Sequence, residues 1–187
     1  MASKLLLASA FTYLLNRDTS RTSELAEGVL QRKAICLLES QPNETAKGVV
    51  NFSQAGAFAL CEINATLTGL APSKKHGFHI HQYGNLSQGC VTAGPHYNPF
   101  GHTHSGPKSV ARHVGDLGNV ESDAEGKATY HLLDHQVNLY GPYSVIGRSV
   151  VLHRGEDDLG LGGNEESLKT GNAGARIACG VIGLAME

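Results

Sequence analysis

The chain contains no tryptophan, and only 6% of its 187 residues are aromatic. No stretch carries a long helical pattern of apolar residues. Charged residues are few, at 17%, and acids and bases nearly cancel to a net charge of -2. Without a basic surplus there is little to neutralise a run of phosphates, which argues against nucleic-acid binding. No apolar run reaches the ~20 residues that a membrane-spanning helix needs. No Cys-x-x-Cys pair occurs, so a zinc-finger or thioredoxin reading has no foothold. Internal repeats and low-complexity tracts are absent as well.

What is present is an ordinary globular share of hydrophobic residues, 41%, in a length that suits one core. The 23 glycines favour a loop-rich β architecture. Short alternating segments read as strands at Lys33 to Leu38, Gly48 to Phe52, Ala59 to Leu67 and Gly77 to His81. They resume at Ala128 to Leu133, Ser149 to His153 and Arg176 to Ala185. Strands this short, separated by Gly/Pro turns, point to a sandwich or barrel. Two stretches, Tyr83 to Gly118 and Arg154 to Gly174, read as long loops, and loops of that length inside a compact domain are usually functional.

The first residues read apart from the rest. Lys4 precedes the uncharged run Leu5 to Leu15, which fits either a secretory signal or an amphipathic helix docked on the domain. Residues 1–32 are therefore taken as leader and linker and residues 33–187 as the domain. Asn43, Asn51, Asn64 and Asn85 each open an N-x-S/T sequon, by chance or as glycan sites of a secreted protein. Secretion is the expectation; a cytoplasmic location is the alternative. The four cysteines allow three full pairings. Cys36 and Cys61 lie in alternating apolar stretches and read as buried thiols. Cys90 and Cys179 lie beside glycines and are the better candidates for a bridge.

Ten histidines carry the functional signal. His79-Ile80-His81 sits in a strand, where residues two apart face the same side, so both imidazoles can reach one metal or simply share an exposed face. His96, His104, His113 and Asp116 lie in one loop, and three imidazoles with one carboxylate can close a tetrahedral zinc shell. His102 competes with His104 for that role, and His153 waits at a later strand end. A zinc hydrolase would need an open zinc position, which four protein ligands would fill.

These residues stand in a longer pattern. Gly77-Phe78-His79-Ile80-His81, Gly94-Pro95-His96-Tyr97-Asn98-Pro99, His113-Val114-Gly115-Asp116 and His153 with Asp157-Asp158-Leu159-Gly160 occur in order, followed by Gly171-Asn172-Ala173-Gly174-Ala175-Arg176 and Cys179-Gly180. The pattern resembles the copper/zinc superoxide dismutases from Lys33 to the end. The resemblance implies an eight-stranded antiparallel Greek-key β-barrel or sandwich, almost without helix, with two long functional loops. It implies copper on His79, His81, His96 and His153, and zinc on His96, His104, His113 and Asp116, with His96 shared as a bridge. It favours His104 over His102. Asp157 would accept from His79 and His104, while Asp158 is mainly structural. Arg176 would dock superoxide; Thr170, Glu165, Glu166 and Lys169 would guide it. Cys90 and Cys179 match the family's disulfide. Ile35, Tyr83, Gly84, Ile146, Gly147 and the tail Gly180 to Ala185 match its homodimer contact, or else fill the core. A copper chaperone is an expected partner. The rival reading is a non-catalytic copper carrier, which the full ligand set and Arg176 argue against.

Overall fold

Nine strands, one 3-10 turn (Val91–Ala93) and one α-helical turn organise residues 31–186, the part of the chain that the computed structural model describes. The leader reading falls on residues outside that range. The strands are β1 (Arg32–Ser40), β2 (Lys47–Gln54), β3 (Cys61–Thr68), β4 (Lys75–His81), β5 (Ser87–Cys90), β6 (Asp116–Glu121), β7 (Ala128–Asp134), β8 (Ser149–His153) and β9 (Arg176–Leu184). The helical turn, α1, is Ser167–Thr170. Eight strands form one antiparallel sheet in the order β6-β4-β8-β9-β1-β2-β3-β7. Sheet curvature brings the two ends of that order towards each other, and the Tyr130 hydroxyl of β7 donates to the Leu117 carbonyl of β6 at 2.7 Å. The result is a nearly closed all-β barrel, as the resemblance implied.

β1, β2, β3 and β7 show why these residues make strands. Burial alternates along each, as in Ala34, Cys36 and Leu38 of β1 or Cys61, Ile63, Ala65 and Leu67 of β3. A period of two puts these residues inward and their neighbours in solvent. β1 opens at Arg32, one residue earlier than expected. The Arg32 guanidinium stacks on the Tyr140 ring at 4.1 Å and donates to the Leu139 carbonyl.

β4 and β8 behave differently. Every residue from His76 to His81, and all five of β8, are buried. Phe78, Ile80, Val150 and Leu152 point into the barrel core. Their outer faces are covered by the two long loops, and a small separate cluster of Cys90, Ala93, Val151 and Cys179 packs there. Two sequence-level boundaries need correction. The loop expected from Tyr83 to Gly118 contains β5 and the start of β6, so Asp116 lies on a strand rather than in a loop. β6 escaped notice because Gly118 and Asn119 interrupt its apolar alternation and its pairing with β4 shifts register between Gly77 and His79. Ala59 and Leu60, expected in a strand, are instead an exposed turn before β3.

Candidate metal centre

The pleat of β4 sends His79 and His81 to its outer face, opposite Phe78 and Ile80. β8 delivers His153 to the same side. Both strands break register here: the β4–β6 pairing shifts between Gly77 and His79, and the β8–β9 pairing shifts between Leu152 and His153. Such irregularities re-aim side chains at barrel sites. His96 comes from the covering loop, which is stitched to β4 by Tyr97 N–H to the Ile80 carbonyl (2.8 Å) and Ile80 N–H to the Gly115 carbonyl (2.9 Å).

Two groups of four donor atoms result. His79, His81, His96 and His153 form one, and His96, His104, His113 and Asp116 form the other; within each, the ligand atoms lie within 4.8 Å of one another. All seven residues are buried. His96 belongs to both.

The hydrogen bonds decide which nitrogen faces inward in the all-imidazole group. His81 Nδ1–H donates to the Gly94 carbonyl (2.8 Å), and His153 Nδ1–H donates to the Gly174 carbonyl (3.0 Å). His79 Nε2–H donates to Asp157 Oδ2 at 2.9 Å. With those protons committed, His81 Nε2 and His153 Nε2 face each other at 3.4 Å as two lone pairs. His79 Nδ1 and His96 Nε2 are buried with no hydrogen-bond partner. Lone pairs turned towards one another in a dry site repel unless a cation lies among them. Burial, reinforced by the neighbouring imidazoles, holds His79 and His81 well below the ordinary histidine range and brings His153 down to about 4. The rings are therefore neutral, the form that binds metal. A group of imidazoles alone suits copper.

The second group is built on Asp116. Its Oδ1 lies 2.9 Å from His96 Nδ1, 2.9 Å from His104 Nδ1 and 3.0 Å from His113 Nδ1. These separations approach the edge of a tetrahedron with ~2.0 Å bonds, about 3.3 Å. His104 Nδ1 is close to the carboxylate yet is not aligned to hydrogen-bond it, which leaves that nitrogen free for a metal. Burial alone would lower His104, but its hydrogen bond to Asp157 and the charges of Asp116 and Asp157 outweigh it and raise the group to about 9. Burial likewise pushes Asp116 up, and its three imidazoles overcome that and hold it below the usual carboxylate range. Asp116 Oδ2 accepts from the backbone N–H of Ser105 and His113, pinning the loop. Three nitrogens and a carboxylate oxygen are a zinc donor set.

Asp157 joins the two groups from behind, taking His79 on one oxygen and His104 on the other at 2.9 and 2.7 Å. Gly171 makes this contact feasible. Its φ is +66°, and a Cβ there would lie 1.9 Å from Asp157 Oδ1. His102 is exposed on the rim; its backbone is tied to Asn98.

Known proteins carry the same pattern. The family model for copper/zinc superoxide dismutase matches residues 46–182. A superoxide dismutase [Cu-Zn] of Cordyceps militaris is 53% identical over 153 residues, covering 82% of this chain and 98% of the relative. One from Candida glabrata is 53% identical over 152 residues, 81% of this chain and 97% of the relative. One from Paramecium bursaria Chlorella virus 1 is 47% identical over 183 residues, 98% of this chain and 94% of the relative. The chain belongs to the copper/zinc superoxide dismutase family. Copper and zinc are its cofactors, and the two donor sets fit them.

A superoxide dismutase also needs a route for its anion. His96, His153, Glu166, Lys169, Thr170 and Arg176 line one depression over the all-imidazole group. The half-buried Arg176 guanidinium is fixed by Nη1 to the Cys90 carbonyl and Nη2 to the Gly94 carbonyl, both 2.7 Å. Thr170 donates to Glu166 Oε1 at 2.7 Å. Glu165 is not among the lining residues; its carboxylate takes the Lys169 ammonium at 2.5 Å. Asp158 is structural, accepting from Ser167, Asn172 and the Gly160 N–H. Cys90 and Cys179 form the disulfide, and Cys36 and Cys61 are buried thiols.

Sequence reasoning missed Arg112. It is fully buried, donates from Nη1 to the carbonyls of His113, Val114 and Asp116, and pairs through Nη2 with Asp134. The arginine next to His113 was visible, but nothing local joins it to an acid 22 residues away at the end of β7. Asn119 was also missed; it brackets Asp157 by accepting its N–H and donating to its carbonyl.

Proposed function

We propose that this chain, as a member of that family, dismutates superoxide at a copper held by His79, His81, His96 and His153. A zinc is held by His96, His104, His113 and Asp116, and His96 serves both metals. The observation that carries the reading is His96 itself: Nδ1 is 2.9 Å from the Asp116 carboxylate, while Nε2 is buried, unpartnered and turned to the other imidazoles. Two superoxide anions and two protons become O2 and hydrogen peroxide. Copper supplies a one-electron acceptor and donor in turn, which zinc cannot, and zinc supplies fixed positive charge.

The chain's own residues do the rest. Arg176 binds and orients the anion with a fixed, charged fork. Thr170 narrows the opening, and Lys169 offsets the charge of Glu165 and Glu166 there, which matters because the net charge of -2 does not attract an anion. His96 would hold or release a proton at Nε2, the buried nitrogen turned to the all-imidazole group. Asp157 holds His79 and His104 in one tautomer and orientation. Metal analysis paired with a superoxide-consumption assay tests the reading: one copper, one zinc and rapid consumption are expected. A fully metal-loaded yet inert protein would instead be a copper carrier.

Assembly and compartment complete the proposal. A homodimer through Ile35, Tyr83, Gly84, Ile146, Gly147 and the tail is supported by the exposure of Tyr83, Val181 and Leu184, at 51%, 43% and 65%. Ile182 between them is core. Loading by a copper chaperone follows from the same family reading. Secretion is supported by the disulfide and by exposure of Asn43, Asn51, Asn64 and Asn85. Intact mass of protein released by its own cells tests it.

A further inference from the structure

The turn after β1 reaches the disulfide. The Gln41 carboxamide spans the bridge: Oε1 accepts the Cys90 N–H at 3.1 Å, and Nε2 lies 3.8 Å from Cys179 Sγ. Its own backbone N–H donates to the Ile177 carbonyl at 2.9 Å, beside Arg176. The neighbouring backbone is shaped to receive it. Gly89 has a φ of +68°, and a Cβ there would lie 2.3 Å from Gln41 Oε1. Of the two cysteines, Cys179 keeps the larger exposure, 4% against 1%, and it is the one that Nε2 overlies.

We infer that Gln41 is a positioning residue. It clamps the Cys90–Cys179 bridge shut and thereby fixes Cys90 through its N–H, the residue whose carbonyl carries the Arg176 guanidinium. The same residue grips both sides of the bridge: Cys90 at the end of β5, and Ile177 and Cys179 on β9. Losing it frees the Cys90 N–H and uncovers the Cys179 sulfur. The Arg176 half of this inference rests on the role proposed above for Arg176; the disulfide half does not.

The test is opening of the bridge in the metal-loaded protein by dithiothreitol. A thiolate of the reagent attacks one bridge sulfur, and the other cysteine leaves as a thiolate and takes a proton. The second reagent thiol then closes on the mixed disulfide, giving cyclic oxidised reagent and two protein thiols. Alkylation and mass measurement follow the reaction. Gln41→Ala is expected to open about fivefold faster than the unaltered chain, the scale of one lost hydrogen bond. Glu44→Ala lies in the same turn, removes a side chain that pairs with Arg154 and keeps the Glu44 N–H bond to the Gln41 carbonyl, so it should leave the rate unchanged. Gln41→Glu keeps an acceptor for the Cys90 N–H; it should restore the superoxide turnover that Gln41→Ala lowers while the bridge is intact and both metals are bound. Equal opening rates for Gln41→Ala and the unaltered chain would overturn the clamp, as would a Glu44→Ala rate matching that of Gln41→Ala. Normal turnover in Gln41→Ala would overturn the link to Arg176. A fully active Arg176→Ile would sink the role of Arg176 and leave the bridge-opening result standing.

Discussion

β1, β2, β3 and β7 make one kind of surface, and β4, β6, β8 and β9 make another. In the first set the ladders β1–β2, β2–β3 and β3–β7 run without a register shift, and one face of each strand meets solvent. In the second, two of the ladders shift at metal-facing histidines, and a second layer of loop, disulfide and carboxylate covers the outer face. The regular strands close the core; the irregular ones convert an outer sheet face into a dry interior. His79, His81 and His153 are neutral there because they are buried, and they are aimed because each spends its other nitrogen on a carbonyl or a carboxylate.

The comparison breaks or sharpens under mutation. The largest effect on stability is expected from the regular side. Phe52→Ala in β2 removes a fully buried ring and should cost ~3–5 kcal/mol in urea unfolding. Turnover per bound copper should not change; a parallel loss would mean that the two surfaces are not separable. On the irregular side, Asp157→Asn should weaken metal retention ~10–100-fold, measured by chelator competition, while the metal-free protein unfolds almost as before. Retention of both metals at full affinity would remove Asp157 from the site. Arg176→Ile should keep both metals and lower superoxide consumption about tenfold, equivalent to ~1.4 kcal/mol, with a smaller loss in Arg176→Lys. The smallest effect concerns Cys36 and Cys61, whose thiols are pushed up to about 12 by burial. Iodoacetamide should leave both unlabelled at pH 8 in the native protein. Because the unfolded chain loses these protons from about 9 and the native one does not, they should favour unfolding only as pH rises from 9 towards 12. Prompt labelling at pH 8 would contradict the burial.

That division only partly governs what was legible in the sequence, since Ser149–His153 and Arg176–Ala185 on the irregular side were read to within one residue of β8 and β9. Strands with one wet face print an alternating pattern, so β1, β2, β3 and β7 could be read to within a few residues. β4 was legible because its outer residues are histidines, so Phe78-His79-Ile80-His81 alternates in sequence although all four are buried. β6 was not, since its polar residues support the loop-covered outer face: Asp116 meets the imidazoles and Asn119 meets Asp157. The ligands could be found from residue type and order, together with the family resemblance. Arg112 with Asp134, and Gln41 with the disulfide, could not. Each pairs residues far apart in sequence and of ordinary type, and only closure of the barrel brings them together.

The central claim is that one imidazole, His96, serves both donor sets. Equilibrium competition for copper and for zinc in His96→Ala, each metal followed separately, tests it most directly. Both affinities are expected to fall by more than about 100-fold, beyond the usual cost of losing a supporting partner. Loss of one metal with the other held at full affinity would contradict the shared imidazole.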